Sequence, residues 1–217
     1  MAPGFHLSPR PLASWWSRLT RDPWSDRIDW QYDADTSGTI RKDALGLSSP
    51  NAAHATIYRA ALGWVIRLFL RRLPIDYRRF TFVDFGSGKG RALLAATEFD
   101  FASIIGVELS PVLHQTALRN IARLPEGRRR LVRALLQDAA SFALPGGDLV
   151  AFLYNPFGPA ILDQVAARLA ARGARGHAVF VIYINPKFRD VFERLDAFEP
   201  VFEHRKGVIF RYRSAKR

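Results

Sequence analysis

The sequence contains no cysteine. That excludes disulfides, zinc–thiolate sites and thiol catalysis, and it suits a reducing compartment. Residues 1–30 hold tryptophans, prolines and mixed charge but no apolar leader segment. The longest apolar stretch, residues 60–70, is cut by Arg67 and is too short to span a bilayer. A cytoplasmic protein without an integral membrane segment is expected, and no metal site. Acid is also scarce: 20 Asp and Glu stand against 32 Lys and Arg, a net charge of +12. Such an excess favours an acidic partner, nucleic acid or anionic lipid. It equally fits a soluble protein rich in arginine. The arginines are spread along the chain, and only Arg71–Arg72 and residues 128–130 cluster.

What is present is enough apolar material for one α/β domain, 48% of 217 residues. The chain is organised around residues 80–90. Residues 80–83 are aromatic or β-branched and favour a strand. Asp84, Gly86, Gly88 and Gly90 follow at alternate positions, with Ser87 between. Residues 92–98 are good helix formers. This is strand, glycine turn, helix, a device that can aim helix N–H groups at a ligand. A phosphate P-loop requires Ser or Thr after its lysine, and Gly90 follows Lys89. A dinucleotide fingerprint requires a small residue three after its second glycine, and Arg91 stands there. Without a ligand, three glycines of high conformational cost would lack a reason.

The remaining pattern, D-x-G-x-G-x-G, resembles the first motif of class I S-adenosylmethionine (SAM) methyltransferases. The next expected strand, residues 103–107, runs into Glu108 and Leu109, and an acid there can accept both ribose hydroxyls. A third expected strand, residues 131–136, leads to Asp138 and Ala139. The resemblance implies an adenine contact at these two. It covers residues 77–213 and implies a Rossmann-like, mostly parallel seven-stranded sheet flanked by helices. The last strand would be antiparallel and inserted between the fifth and sixth. Residues 75–217 would form the SAM-binding domain. Residues 1–74 would supply an arm, a lid segment and a helix on the core.

The other elements follow in order. Trp15, Trp16, Trp24 and Trp30 mark a loose arm or short helix. Residues 31–50 are turn-rich; Tyr32 and Thr36 are candidates for a lid or substrate wall. Ser49, Pro50 and Asn51 signal a helix start, and Ile57, Ala61, Trp64, Val65, Leu68 and Phe69 recur at helical spacing up to Pro74. A turn is expected at residues 125–127. Residues 148–154 read as a central strand, apolar on both faces. A helix over residues 160–172 should close at Gly173 and Gly176. Residues 178–184 read as a strand, 198–203 and 208–212 as a hairpin.

The fourth strand ends in Asn155–Pro156–Phe157–Gly158. This resembles amino-group methyltransferases, whose asparagine oxygen accepts amine hydrogens and whose aromatic ring stacks on a base or walls a lysine channel. Amino-directed nucleic-acid enzymes carry the aromatic residue fourth, whereas here it is third. The N-x-F spacing, with G-S-G-x-G and G-V-E, is closer to histone-lysine methyltransferases that lack a SET domain. Asn155 and Phe157 are thus the expected catalytic residues, with Asn155 also near the cofactor and Pro156 near the substrate. A protein amine is the first expected acceptor; a nucleic acid, a small molecule, an aminopropyl transfer and a non-catalytic binding protein are the alternatives. A lysine would have to lose its proton, and no residue stands out as its base.

Overall fold

The computed structural model describes residues 27–47, 51, 53 and 57–213. The tryptophan-rich arm at Trp15, Trp16 and Trp24, and the helix start at Ser49–Pro50, lie outside the described residues. Seven strands build the central sheet. They are β3 (Phe80–Phe85), β4 (Ser103–Glu108), β5 (Val132–Leu136), β6 (Asp148–Tyr154), β7 (Val179–Ile184), β8 (Phe198–His204) and β9 (Gly207–Tyr212). Their spatial order is β5-β4-β3-β6-β7-β9-β8. The five strands from β5 to β7 are parallel, whereas β9 runs antiparallel to both β7 and β8. The last strand therefore inserts between the fifth and sixth of the sheet, as the resemblance implies.

The central strands are apolar on both faces because both faces are covered. Side chains alternate with period two. Phe80 and Phe82, Val150 and Phe152, Phe180 and Ile182 point into one core. Val83 and Phe85, Ala151 and Leu153, Val181 and Tyr183 point into the other. The first core is closed by α1 (Arg27–Tyr32), α2 (Gly63–Arg71) and α3 (Arg91–Ala96). The second is closed chiefly by α6 (Pro159–Ala174) and α7 (Asp190–Glu193). Between them in sequence lie α4 (Pro111–Ala122), capped by the Ser110 side chain, and the short α5 (Glu126–Arg129). Residues 125–127 thus lead into a helical turn, where the sequence reads as a plain turn.

Three boundaries differ from expectation for tertiary reasons. The helix expected from Asn51 begins only at Gly63. Ahead of it, β2 (Tyr58–Arg59) pairs antiparallel with β1 (Thr39–Ile40), so Tyr58 and Arg59 are extended. The apolar stripe also turns: Val65, Ile66, Phe69 and Leu70 are buried, while Ile57 and Trp64 are exposed. Helix α6 runs through Gly173 to Ala174. Gly173 does not stop it; a Cβ there would overlap the Tyr212 ring, so the glycine permits close packing. Only Gly176, with φ of 90°, lies beyond the helix as a turn residue.

Candidate functional site

In an open α/β sheet, ligands bind outside the carboxyl ends of the strands, where connections diverge to opposite sides. Here the chain passes from β3 outward to β4 and β5, then crosses back to β6 on the other side of β3. A cleft of about 270 Å³ lies at that point. Its walls come from the ends of five strands: Gly86 and Gly88 after β3, Glu108 and Leu109 at β4, Asp138 and Ala139 after β5, Asn155 to Phe157 after β6, and Asn185 and Lys187 after β7. Asn51, Ile57, Tyr58 and Arg59 line it from the segment before the sheet domain.

The glycine turn is built differently from the sequence argument. Gly86, Gly88 and Gly90 have φ of 79°, 56° and 86°, so each needs its missing side chain for conformation alone. A Cβ on Gly86 would overlap Pro156, and one on Gly88 would overlap the Tyr58 ring. The glycines therefore have packing reasons independent of any ligand. Nor does the turn hold out N–H groups. Gly86 and Ser87 both donate to the Val107 carbonyl, Gly88 donates to Glu108 Oε2 at 2.8 Å, and Gly90 donates to the Ser87 carbonyl. Ser87 and Gly90 lie beneath the cleft, against Gly106 and Ala117 respectively.

The cleft floor is acidic. Glu108 is buried and accepts from the backbone N–H groups of Gly88 and Ser110, each at 2.8 Å. Burial pushes its pKa up, and the N–H groups of Ser110, Gly88 and Leu109 oppose that shift. Asp84, buried one layer below, is pushed well up by burial and then by the negative charge of Glu108. Asp84 does not line the cleft; its described carboxyl lining is Glu108 and Asp138. Glu108 keeps some acceptor capacity, since a carboxylate offers about four lone-pair sites and the three N–H groups of Ser110, Gly88 and Leu109 engage up to three of them. Asp138 accepts from Asn51 Nδ2 and from the Ala140 N–H, each at 2.8 Å. An amide NH₂ thus already occupies one acceptor position of Asp138.

Asn155 is buried and has φ of 44°, although Pro156 follows it. A residue before proline is normally driven to extended backbone, so this conformation is imposed by the fold. Asn185, also followed by proline, repeats it at the end of β7 with φ of 50°. Asparagine tolerates left-handed backbone better than other non-glycine residues, which is the signal shared by both strand ends. Phe157 lines the cleft and also packs in the second core.

Tyr32 and Thr36 fall away from the cleft. Tyr32 is buried in the first core, and its hydroxyl accepts from Arg128 at 2.8 Å. Thr36 is fully buried in a network around Arg91. Arg91 donates to Thr36 Oγ1 at 2.7 Å, to Ser37 Oγ at 2.7 Å, to the Ala61 carbonyl at 2.9 Å and to Asp29 Oδ2 at 3.2 Å. Asp29 in turn accepts from the Thr36 N–H and the Thr36 and Ser37 hydroxyls. Lys89 adds an ion pair to Asp35 at 2.9 Å, and Asn120 Nδ2 donates to the carbonyls of Asp35 and Lys89. Residues 29–38 are thereby fastened onto the glycine turn, and they carry Tyr58 with them: its hydroxyl donates to the Thr36 carbonyl at 2.7 Å. The cleft residue from this region is Tyr58, which the sequence reading placed inside a helix.

No protein-family model matches the sequence, and no curated protein matches it. Solved structures do. The chain is similar to the glycopeptide N-methyltransferase MtfA complexed with (S)-adenosyl-L-methionine, at 11% identity and a TM-score of 0.54, over 73% of this chain and 89% of that one. It is similar to geranyl diphosphate methyltransferase in complex with GPP and sinefungin, at 17% identity and a TM-score of 0.50, over 64% of this chain and 61% of that one. These likenesses show that the chain has the fold of class I SAM-dependent methyltransferases.

Proposed function

We propose that this protein is a SAM-dependent methyltransferase acting on an amino nitrogen. The observation that carries the reading is the cleft at the switch point of the sheet, with Glu108 and Asp138 at the ends of adjacent strands. Glu108 has a remaining acceptor position for a ribose hydroxyl. Asp138 faces an amide NH₂ where an adenine amino group would donate, and the Ala139 N–H stands beside it. The acids of the cleft, Glu108 and Asp138, suit a cofactor that carries positive charge. The glycine-turn residues Gly86 and Gly88, with Leu109, complete that half of the cleft.

SAM supplies an electrophilic methyl group. With SAM bound, an acceptor nitrogen lone pair would form the new N–C bond as the C–S bond breaks, its electrons returning to sulfur, and the nitrogen's surplus proton would pass to solvent. The protein's contribution is alignment. The Asn155 side chain, on the wall between the β3 and β6 ends, can accept amine hydrogens and aim the lone pair.

A protein side-chain amine remains one acceptor. A nucleobase amine is favoured by a specific observation. The cleft's described basic lining residues are Arg59 and Lys187, while its acids, Glu108 and Asp138, lie on the cofactor side. Two cations disfavour an entering ammonium, and a lysine would need a base that the acceptor side does not supply. An exocyclic base amine is already neutral.

Titration calorimetry tests the premise. SAM and S-adenosylhomocysteine should bind, with NAD and ATP weak or silent; tight NAD binding without SAM binding would sink it. Glu108→Ala should weaken SAM binding by about 1–3 kcal/mol, the scale of a lost charge-assisted hydrogen bond. Unchanged affinity in the folded variant would move the ribose contact elsewhere.

A further inference from the structure

We propose that the β7 edge of the cleft continues into a binding surface for single-stranded nucleic acid. On it Arg59, Lys187, Arg205 and Lys206 hold phosphates and Trp64 stacks on a base. The surface deepens the acceptor reading above and rests on it for the methyl-transfer step alone; binding stands by itself.

Ion pairing changes along the C-terminal part of the fold. Around the C-terminal hairpin the arginines are matched to acids: Arg189 with Glu203 at 2.9 Å, Arg194 with Asp190 at 2.7 Å, Arg213 with Asp196 at 3.0 Å, and Arg211 with Glu199. Arg59, Lys187, Arg205 and Lys206 have no carboxylate partner among the described residues. Such cations occur on other faces too, but these four are joined to the cleft, where their charge can attract a polyanion.

The four are connected through the fold. Arg59 and Lys187 line the same cleft as Asn155 and Asn185. The Asn185 N–H donates to the Lys206 carbonyl at 2.8 Å, which fixes the Arg205–Lys206 turn against the end of β7. Gly207, the next residue, pairs with Ile184 on one side and His204 on the other. The His204 ring meets Trp64 edge-on, with centroids 6.4 Å apart. Trp64 is 50% exposed, with Leu62 and Ile57 also exposed nearby in sequence. Cations along a backbone track with an exposed aromatic ring between them are the elements of a single-strand site. A duplex would keep its base amines in the stack, away from a cleft of about 270 Å³; a single strand can turn one base into it.

The test is fluorescence anisotropy of a labelled single-stranded RNA of about 12 nucleotides, within the site size of such surfaces. The wild type should bind with log K falling linearly in log salt. The Arg59→Ala/Lys187→Ala/Arg205→Ala/Lys206→Ala variant should lose affinity, and its slope should drop by about 2.8, at about 0.7 per phosphate. A control with the same charge change, Arg78→Ala/Arg79→Ala/Arg129→Ala/Arg133→Ala, removes cations from other faces and should keep the slope. Trp64→Ala should lose about five-fold or more in affinity with the slope unchanged. Melting curves verify that each variant is folded. An equal loss in the control would reduce the binding to net charge and overturn the site. Trp64→Ala binding as the wild type does would overturn the nucleic-acid assignment, as would anionic phosphatidylglycerol vesicles or a poly-glutamate peptide binding as tightly as RNA. SAM calorimetry on the wild type is read separately. RNA binding without SAM binding removes the transferase reading and leaves the surface; SAM binding without RNA binding does the reverse.

Discussion

Asn155→Gly is expected to slow methyl transfer by about 100-fold or more, a barrier increase of about 2.7 kcal/mol, while SAM affinity changes by no more than a few-fold. Glycine is the informative substitution because Asn155 has φ of 44°. It keeps the left-handed backbone at little strain and removes only the amide, whereas alanine would add strain before Pro156. An interaction with the acceptor that sharpens in the transition state acts on kcat. The adenosine contacts assigned to Glu108 and Asp138 are left in place. The measurement is transfer from labelled SAM to total RNA or a lysate acceptor, alongside calorimetry. A fully active variant would make Asn155 a strand-ending turn residue and remove the main support for nitrogen as the acceptor. Loss of SAM binding would assign the residue to the cofactor.

Arg91→Ala should be the most destabilising of these substitutions. The guanidinium is buried, and its removal takes the Arg91 charge away from the buried Asp29 carboxylate. Breaking a buried pair in this way costs about 3–5 kcal/mol. At about 2–4 °C per kcal/mol for a chain of this size, the melting temperature should fall by roughly 6–20 °C. The double variant Asp29→Ala/Arg91→Ala should cost less than the sum of the two single changes, because neither charge is then left alone. Arg91 and Asp29 touch no wall of the cleft, yet they hold Thr36, and Thr36 holds Tyr58 over Gly88. Any SAM affinity lost in Arg91→Ala at a temperature where it is folded therefore reports on the Tyr58 roof. A fall of under about 2 °C would show that the 29–38 segment is held by other contacts.

Arg91 also marks where sequence reading stopped. Beside the glycine turn it served to reject a dinucleotide site, and its own role was invisible. Its partners are 62 and 55 positions away, at Asp29 and Thr36, and no local pattern joins them. Thr36 was singled out as a polar residue near the cofactor domain and is instead fully buried beneath the roof. Tyr58 was hidden inside an apparent helical stripe, because pairing with Ile40 and packing on Gly88 override local helical spacing. Its neighbour Arg59 and the distant Lys187 gave no motif at all.

By itself the sequence determined the order and nature of the sheet elements from Phe80 onward. Strands apolar on both faces, a glycine turn after Asp84, Ser110–Pro111 at a helix start and a closing hairpin leave few arrangements for a chain of this length. It also determined which acids end which strands, since Glu108 and Asp138 follow their strands directly. The tertiary structure decided what those features mean physically. It spent the glycine-turn N–H groups on Val107 and Glu108, gave Gly86 and Gly88 packing partners in Pro156 and Tyr58, and sank Phe157 into the core. It also decided which cations of an evenly basic chain reach the cleft, Arg59 and Lys187. Periodicity and turn chemistry are local and survive in one dimension. Burial, desolvation and charge pairing depend on which distant residues arrive at the same place, and only the closed fold settles that.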